Sequence, residues 1–273
     1  MAETSYMQSS IWLEEPEPNN AFACRAAYCH GYDVYGEMLG KAGWSDMLYL
    51  LFKGEAPSPA QAKMLETLAV ALANPGPRDP SVQAAMCSGV GGSPAAAALT
   101  AALAVGAGGA GGAREVLRAM QAWEICGKSL TAWMTHWTEL AQRRPDAPAD
   151  AWPAPEHPPG FDPLGVTTTT PVKQVLAQLA SLNLDSRAAW LQANLSPLER
   201  AAQHPLSLVG VAAAALADLG MSPTQGEMLF LLLRLPGAAA HALEQSESGH
   251  KKFPFYALEL DEGNAVTPEG VEP

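Results

Sequence analysis

Arg234-Leu235-Pro236-Gly237-Ala238-Ala239-Ala240-His241-Ala242-Leu243-Glu244-Gln245 reads as the start of one helix after the end of another. Upstream, the pair Ser222-Pro223 opens an apolar run whose spacing predicts a helix over 223–233. Downstream, the small residues after Gly237 predict a second helix over 237–245. Pro236 separates them, because proline lacks an N–H and its ring crowds the preceding turn. The run 228–243 is broken by Arg234, Pro236 and His241, and the run 206–217 falls short of the ~20 residues a membrane span needs.

The same punctuation recurs along the chain. Four Ser-Pro pairs occur, at Ser58-Pro59, Ser93-Pro94, Ser196-Pro197 and Ser222-Pro223. Serine accepts an orphan N–H at an N-cap and proline suits the first helical position, so each pair is read as a helix start. Helices are expected at 59–72, ending at Asn74-Pro75-Gly76, and at 94–105, ending in glycines. Further helices are expected at 44–52, 114–125, 130–142, 172–181 and 206–219. Leu130, Trp133, Met134, Trp137 and Leu140 fall on one helical face and read as packing. No segment shows strand-like alternation, so the predicted class is all-α. Residues 144–171 hold eight prolines and the run Thr167–Thr170, and read as a long loop.

The chain of 273 residues carries a net charge of −12 and a pI near 4.9. That balance argues against nucleic acid and against an anionic membrane, both of which need clustered Lys and Arg. Residues 1–20 are acidic and proline-containing, without the basic and apolar regions of a targeting segment, so a cytoplasmic protein is expected. Cys24, Cys29, Cys87 and Cys126 are too few and too irregular for a disulfide framework. Cys24, Cys29 and His30 fit no common zinc spacing and read as helix thiols beside a histidine. No metal site is expected. The acidic tail 259–273 reads as a solvated end.

The opening stretch resembles the R-x-x-G-x-x-x-H-x-x-(E/D)-Q element of the citrate synthase superfamily. Leu208-Val209-Gly210-Val211 and Leu219-Gly220-Met221 are similar to the helix upstream of that element. Gly31-Tyr32-Asp33 and the segment from Met47 to Pro57 are similar to the family's opening. Ala110-Gly111-Gly112-Ala113 falls where the family has an H-G-G-A turn. Length and order look most like the citryl-CoA lyase branch, which includes the C-terminal module of ATP-citrate lyase. The resemblance implies a large helical domain (1–112 with 226–273) and a small one (113–225, including loop 144–171). It also implies a dimer, and chemistry that makes or breaks the bond between an acetyl-CoA carbanion and a keto acid. No resident cofactor is implied; a CoA thioester is a substrate or ligand.

Measured against that resemblance, the acid–base positions have been replaced. The histidine of the family's D-H-G-P element reads Pro75, and that of the H-G-G-A turn reads Ala110. The G-x-G-H-R-x-K loop aligns with 160–166, so its histidine reads Pro163 and its basic residues read Leu164 and Val166. The aspartate ahead of the upstream helix reads Leu206. Arg234 matches the family's carboxylate-binding arginine, and His241 reads as structural. Two functions are therefore expected. The first is a catalytically degenerate binding or regulatory subunit, a homodimer or a heteromer with an intact relative, able to hold a small carboxylate; an acyl-CoA ligand goes with the second. The second is a CoA-thioester lyase or synthase using relocated residues, for which His157, Asp162 and His204 are the candidates. Read singly, His157 and Asp162 are exposed loop residues and His204 precedes a helix.

Overall fold

The computed structural model describes residues 9–142, 157–183 and 185–253. Among these, the chain is built from helices α1 (Trp44–Lys53), α2 (Pro59–Leu72), α3 (Pro80–Val90), α4 (Ala95–Gly106), α5 (Ala113–Cys126), α6 (Leu130–Gln142), α7 (Thr170–Leu182), α8 (Arg187–Ala193), α9 (Leu195–Ala202), α10 (Leu208–Asp218) and α11 (Pro223–Ser248). The all-α reading holds, with one addition. A three-stranded antiparallel sheet precedes α1: β1 (Trp12–Glu17), β2 (Asn20–Cys29) and β3 (Tyr32–Asp33). Its pairs run from Trp12↔Cys29 to Glu17↔Asn20, with irregular register at Pro16. Most of β1 and the first half of β2 are exposed on both faces, so the apolar–polar alternation of a half-buried strand never develops. His30 and Gly31 both take positive φ (48° and 88°), the backbone a tight two-residue hairpin requires between β2 and β3. Cys24 and Cys29 therefore lie on a strand, not a helix, and burial pushes the Cys29 thiol pKa up. All four cysteines are free.

Two of the Ser-Pro pairs act as full capping boxes. Gln61 N–H donates to Ser58 Oγ (3.3 Å) while Ser58 N–H donates to Gln61 Oε1 (2.9 Å). Ser222 and Gln225 repeat this at the start of α11. Each capping glutamine then reaches α1: Gln61 Nε2 donates to Tyr49 Oη (2.6 Å) and Gln225 Nε2 to the Phe52 carbonyl (2.7 Å). The caps thus fix where α2 and α11 stand against α1. Ser196-Pro197 behaves otherwise. Helix α9 already starts at Leu195, with Asn194 as N-cap, so that pair sits inside its first turn.

The two helices expected at 223–233 and 237–245 are one helix of 26 residues, with Pro236 inside it. The reason is an external bond. Gly237 N–H donates to the Ala73 carbonyl at the end of α2 (2.7 Å) instead of stopping the helix. A Cβ on Gly237 would stand 2.6 Å from that oxygen and 2.7 Å from Asn74 Cα, so glycine is what lets the α2 end approach. His241, one turn on, sets its ring nitrogens 3.2 Å from Asn74 Oδ1 and 3.2 Å from Glu244 Oε2, which makes it a clamp on the same junction.

Helix α10 is the centre of the main core. Every residue from Val209 to Leu216 is buried, packed by leucines of α2, α7 and α8 and by Trp123 of α5. Burying a leucine side chain contributes ~1.5–3 kcal/mol. Val82, Ala85, Ala98, Ala102, Ala238 and Ala242 form a second, smaller core among α3, α4 and α11. Small residues let those helices touch: a Cβ on Gly89 would lie 2.3 Å from the Ala242 carbonyl oxygen. No helix among the described residues is long and apolar enough to cross a membrane. The part of loop 144–171 before His157 and the tail 259–273 lie outside the described residues; from His157 to Thr169 the chain is irregular, as expected.

Candidate functional site

Helix α11 carries Arg234 into the interior, where it is 8% exposed. Its Nη2 donates to Asp79 Oδ2 and its Nη1 to the Gly111 carbonyl (3.2 Å). The guanidinium carbon lies 4.8 Å from the centre of the Phe230 ring, a cation–π contact. Burial draws the Arg234 pKa down and the Asp79 carboxylate opposes that shift. Asp79 is also the N-cap of α3, with Oδ1 accepting from Ser81 N–H (2.9 Å) and Ser81 Oγ–H (2.5 Å). The arginine matched to a carboxylate-binding residue is thus paired within its own chain.

Gly111 connects this pair to a second group. Its N–H donates to Glu115 Oε2 (2.6 Å), and Gly160 N–H donates to Glu115 Oε1 (2.8 Å). Glu115 is buried in the first turn of α5, where a carboxylate also complements the helix dipole. It therefore pins the Gly-Gly turn before α5 to the loop before α7. His157 Nε2 lies 3.6 Å from the same Oε1, and the His157 and His204 rings stand edge to face with centres 6.1 Å apart. Contrary to the sequence reading, His157 is buried. Sequence reasoning missed Glu115 altogether. Its signal is a glutamate three residues after a Gly-Gly pair at a helix start, the position that bonds back to the preceding turn.

Asp162 does not join the histidines in hydrogen bonding. Its Oδ1 accepts from Leu164 N–H (2.9 Å), closing a turn of its own. Its N–H donates to the Pro205 carbonyl (2.8 Å), and Phe161 pairs with Leu206 as an isolated antiparallel bridge. Gly160 and Gly210 meet here: a Cβ on Gly210 would lie 2.4 Å from the Gly160 oxygen. The loop is thereby locked to the start of α10. Leu206 is 3% exposed and lines an apolar cavity of about 20 Å³ with Trp137 and Phe161. Its backbone N–H and carbonyl are taken by Glu199 and Thr168, and the Thr168 hydroxyl donates to Glu199 as well. Pro163, Leu164 and Val166 are exposed on the loop, and Pro75 is half-buried beyond α2. Among the described residues, no group of three or more His, Cys, Asp or Glu side chains could hold a metal ion.

No protein-family profile matches the chain, and no curated protein does. Solved structures do match. The chain is similar to citryl-CoA lyase from Hydrogenobacter thermophilus, with a TM-score of 0.69 and 19% identity over 98% of this chain and 96% of that one. It is similar to ATP citrate lyase from Methanothrix soehngenii, solved with citrate and coenzyme A, with a TM-score of 0.66 and 15% identity. That match covers 95% of this chain and 43% of the other. Methanosaeta concilii ATP citrate lyase with (3S)-citryl-CoA gives a TM-score of 0.65 and 15% identity, over 96% of this chain and 43% of that one. The fold is therefore the citrate synthase-like fold, in the form found in citryl-CoA lyase.

Proposed function

We propose that this chain is a catalytically degenerate protein of the citryl-CoA lyase fold, serving as a binding or regulatory subunit. The observation that carries the reading is Leu206. Where the resemblance calls for an aspartate, an apolar side chain is packed against Trp137 and Phe161 and shielded from solvent. Enolising a thioester needs a base within ~3 Å of the proton, and a positioned acid or base is typically worth ~10²–10⁴ in rate. Proline at 75 and 163 cannot supply one either. Leu164 and Val166 replace the basic residues that would meet CoA phosphates. The subunit reading includes a cytoplasmic location, no resident cofactor, and a partner that is a second copy or an intact relative. Two helical lobes, 1–112 with 226–273 and 113–225, belong to the proposal.

One observation favours the rival reading, a CoA-thioester lyase or synthase with relocated residues. Glu115, His157 and His204 are gathered in one place, and two of the three are buried. Melting with acetyl-CoA separates the two. A ligand at about 100 Kd adds ~2.7 kcal/mol of stability, several degrees in a chain of this size. The degenerate reading expects no rise with acetyl-CoA. A saturable rise together with turnover would replace it with the lyase reading.

A further inference from the structure

We infer that the hairpin of β1 and β2 is an arm that crosses to a second copy of this chain and lays its apolar side chains into that copy's groove between α2, α4 and α11. This rests on the proposed pairing with a second copy, and adds which element of each protomer makes the contact and where it lands.

Between Ile11 and Trp44 only Ala27 and Cys29 are buried. The base of the hairpin is held: His30 N–H donates to the Ile11 carbonyl (2.9 Å), and a Cβ on Gly54 at the end of α1 would lie 3.4 Å from the His30 ring. Beyond that base no described residue of the protomer buries the arm. Phe22 is fully exposed, and Leu13, Tyr35 and Leu39 also face solvent. A hairpin unpacked on both faces is marginal in water, so this one needs cover from outside its own protomer. Its free edge does not provide that cover. Glu14, Glu15, Pro16 and Glu17 line β1, the register is irregular at Pro16, and a second acidic strand laid opposite would repel. The apolar side chains on its faces remain.

The complement lies on the same chain. A groove of about 510 Å³ runs between α2, α4 and α11; Val70 and Leu232 are exposed in it, and α4 has no charged residue. Trp44 belongs to both surfaces, since it leads from the hairpin segment into α1 and also lines the groove. A two-fold axis beside Trp44 sets each arm over the other copy's groove, a reciprocal contact that closes on itself. The area is of the right order. An aromatic side chain buries ~150–250 Å², so the largely exposed Phe22, Tyr35 and Trp44 supply about half of the ~800 Å² that each partner gives to a standard interface. The aliphatic side chains of arm and groove add to it.

The test is cross-linking of the full chain. Cys24 is an exposed thiol on the arm, and Val70 is exposed on the groove wall. Val70→Cys treated with a short bismaleimide is expected to give a species of doubled mass on a denaturing gel. Wild type, which has no thiol in the groove, is expected to give none, and Cys24→Ser in the Val70→Cys background is expected to lose it. A link formed within one copy leaves the mass unchanged and is told apart on the same gel. Phe22→Asp provides a second readout. Its side chain packs on nothing in its own protomer, so the variant is expected to keep its far-UV circular dichroism and to raise the dimer dissociation constant at least tenfold in sedimentation equilibrium. A wild-type dimer that yields no doubled species, or whose dissociation is unchanged in Phe22→Asp, would overturn the arm and leave the pairing of two copies standing. A wild-type monomer would overturn both.

Discussion

Glu115 satisfies two backbone donors from different loops, Gly111 N–H and Gly160 N–H, and faces His157 as well. Removing it leaves the buried Gly160 donor without a partner, at ~1–3 kcal/mol, and loses the part-buried bond from Gly111 as well. Glu115→Ala should therefore lose about 3 kcal/mol in urea unfolding. Glu115→Gln, which keeps one acceptor oxygen, should lose clearly less. Equal losses would mean that the carboxylate is not holding the loops together. At this scale the sequence was legible in part. Arg234 stood out as a charged residue in an apolar run, and Leu206, Pro163 and Pro75 stood out as residues unable to move a proton. The partner Asp79 did not, because it lies 155 residues away, behind a proline- and glycine-rich turn. Asp162 misled for a similar reason: an aspartate near vacated catalytic positions looks like a replacement, while a local turn already uses it.

Helices with a local start signal were readable to within a residue or two; α2 and α6 fall on the expected bounds. Helix α8 was not expected because much of its N-terminal capping comes from afar. Asp218 at the end of α10 accepts from the N–H groups of Arg187 (2.7 Å) and Ala188 (3.0 Å). Helix α3 carries its own cap in Asp79 but follows a proline- and glycine-rich turn that hides it. Continuity of α11 through Pro236 was likewise invisible, since it depends on the Ala73 carbonyl of another helix. This last point gives a direct test. Gly237→Ala would drive a Cβ into Ala73 and Asn74, and overpacking of this kind costs ~1–3 kcal/mol. Pro236→Ala, which restores an N–H at the exposed side of the helix, should cost less than Gly237→Ala. The reverse order in chemical denaturation would place the strain at Pro236 rather than at the close approach.

At the scale of the whole molecule, two features bear on what the protein does. The first is a groove of about 510 Å³ between α2, α4 and α11, lined by Trp44, Val70, Leu99, Leu232, Leu235 and Pro236. Trp44, Val70 and Leu232 are exposed there, and α4 contains no charged residue at all. A face of that kind suits the proposed pairing with a second copy, and obligate interfaces bury well over ~2,000 Å². Light scattering should give the mass of a dimer at micromolar concentration for the wild type and a monomer for Val70→Asp/Leu232→Asp. A wild-type monomer would remove the homodimer and leave the heteromer with an intact relative. The second feature is the pairing of this fold with Leu206, Pro163 and Pro75 where the resemblance calls for acid–base residues. The central claim is that this combination does not turn over. Its most direct test is a thiol-release assay with acetyl-CoA and oxaloacetate, run beside a cleavage assay with citryl-CoA. The account predicts no release above the uncatalysed background in either direction. Turnover approaching the ~10 s⁻¹ typical of enzymes would contradict it.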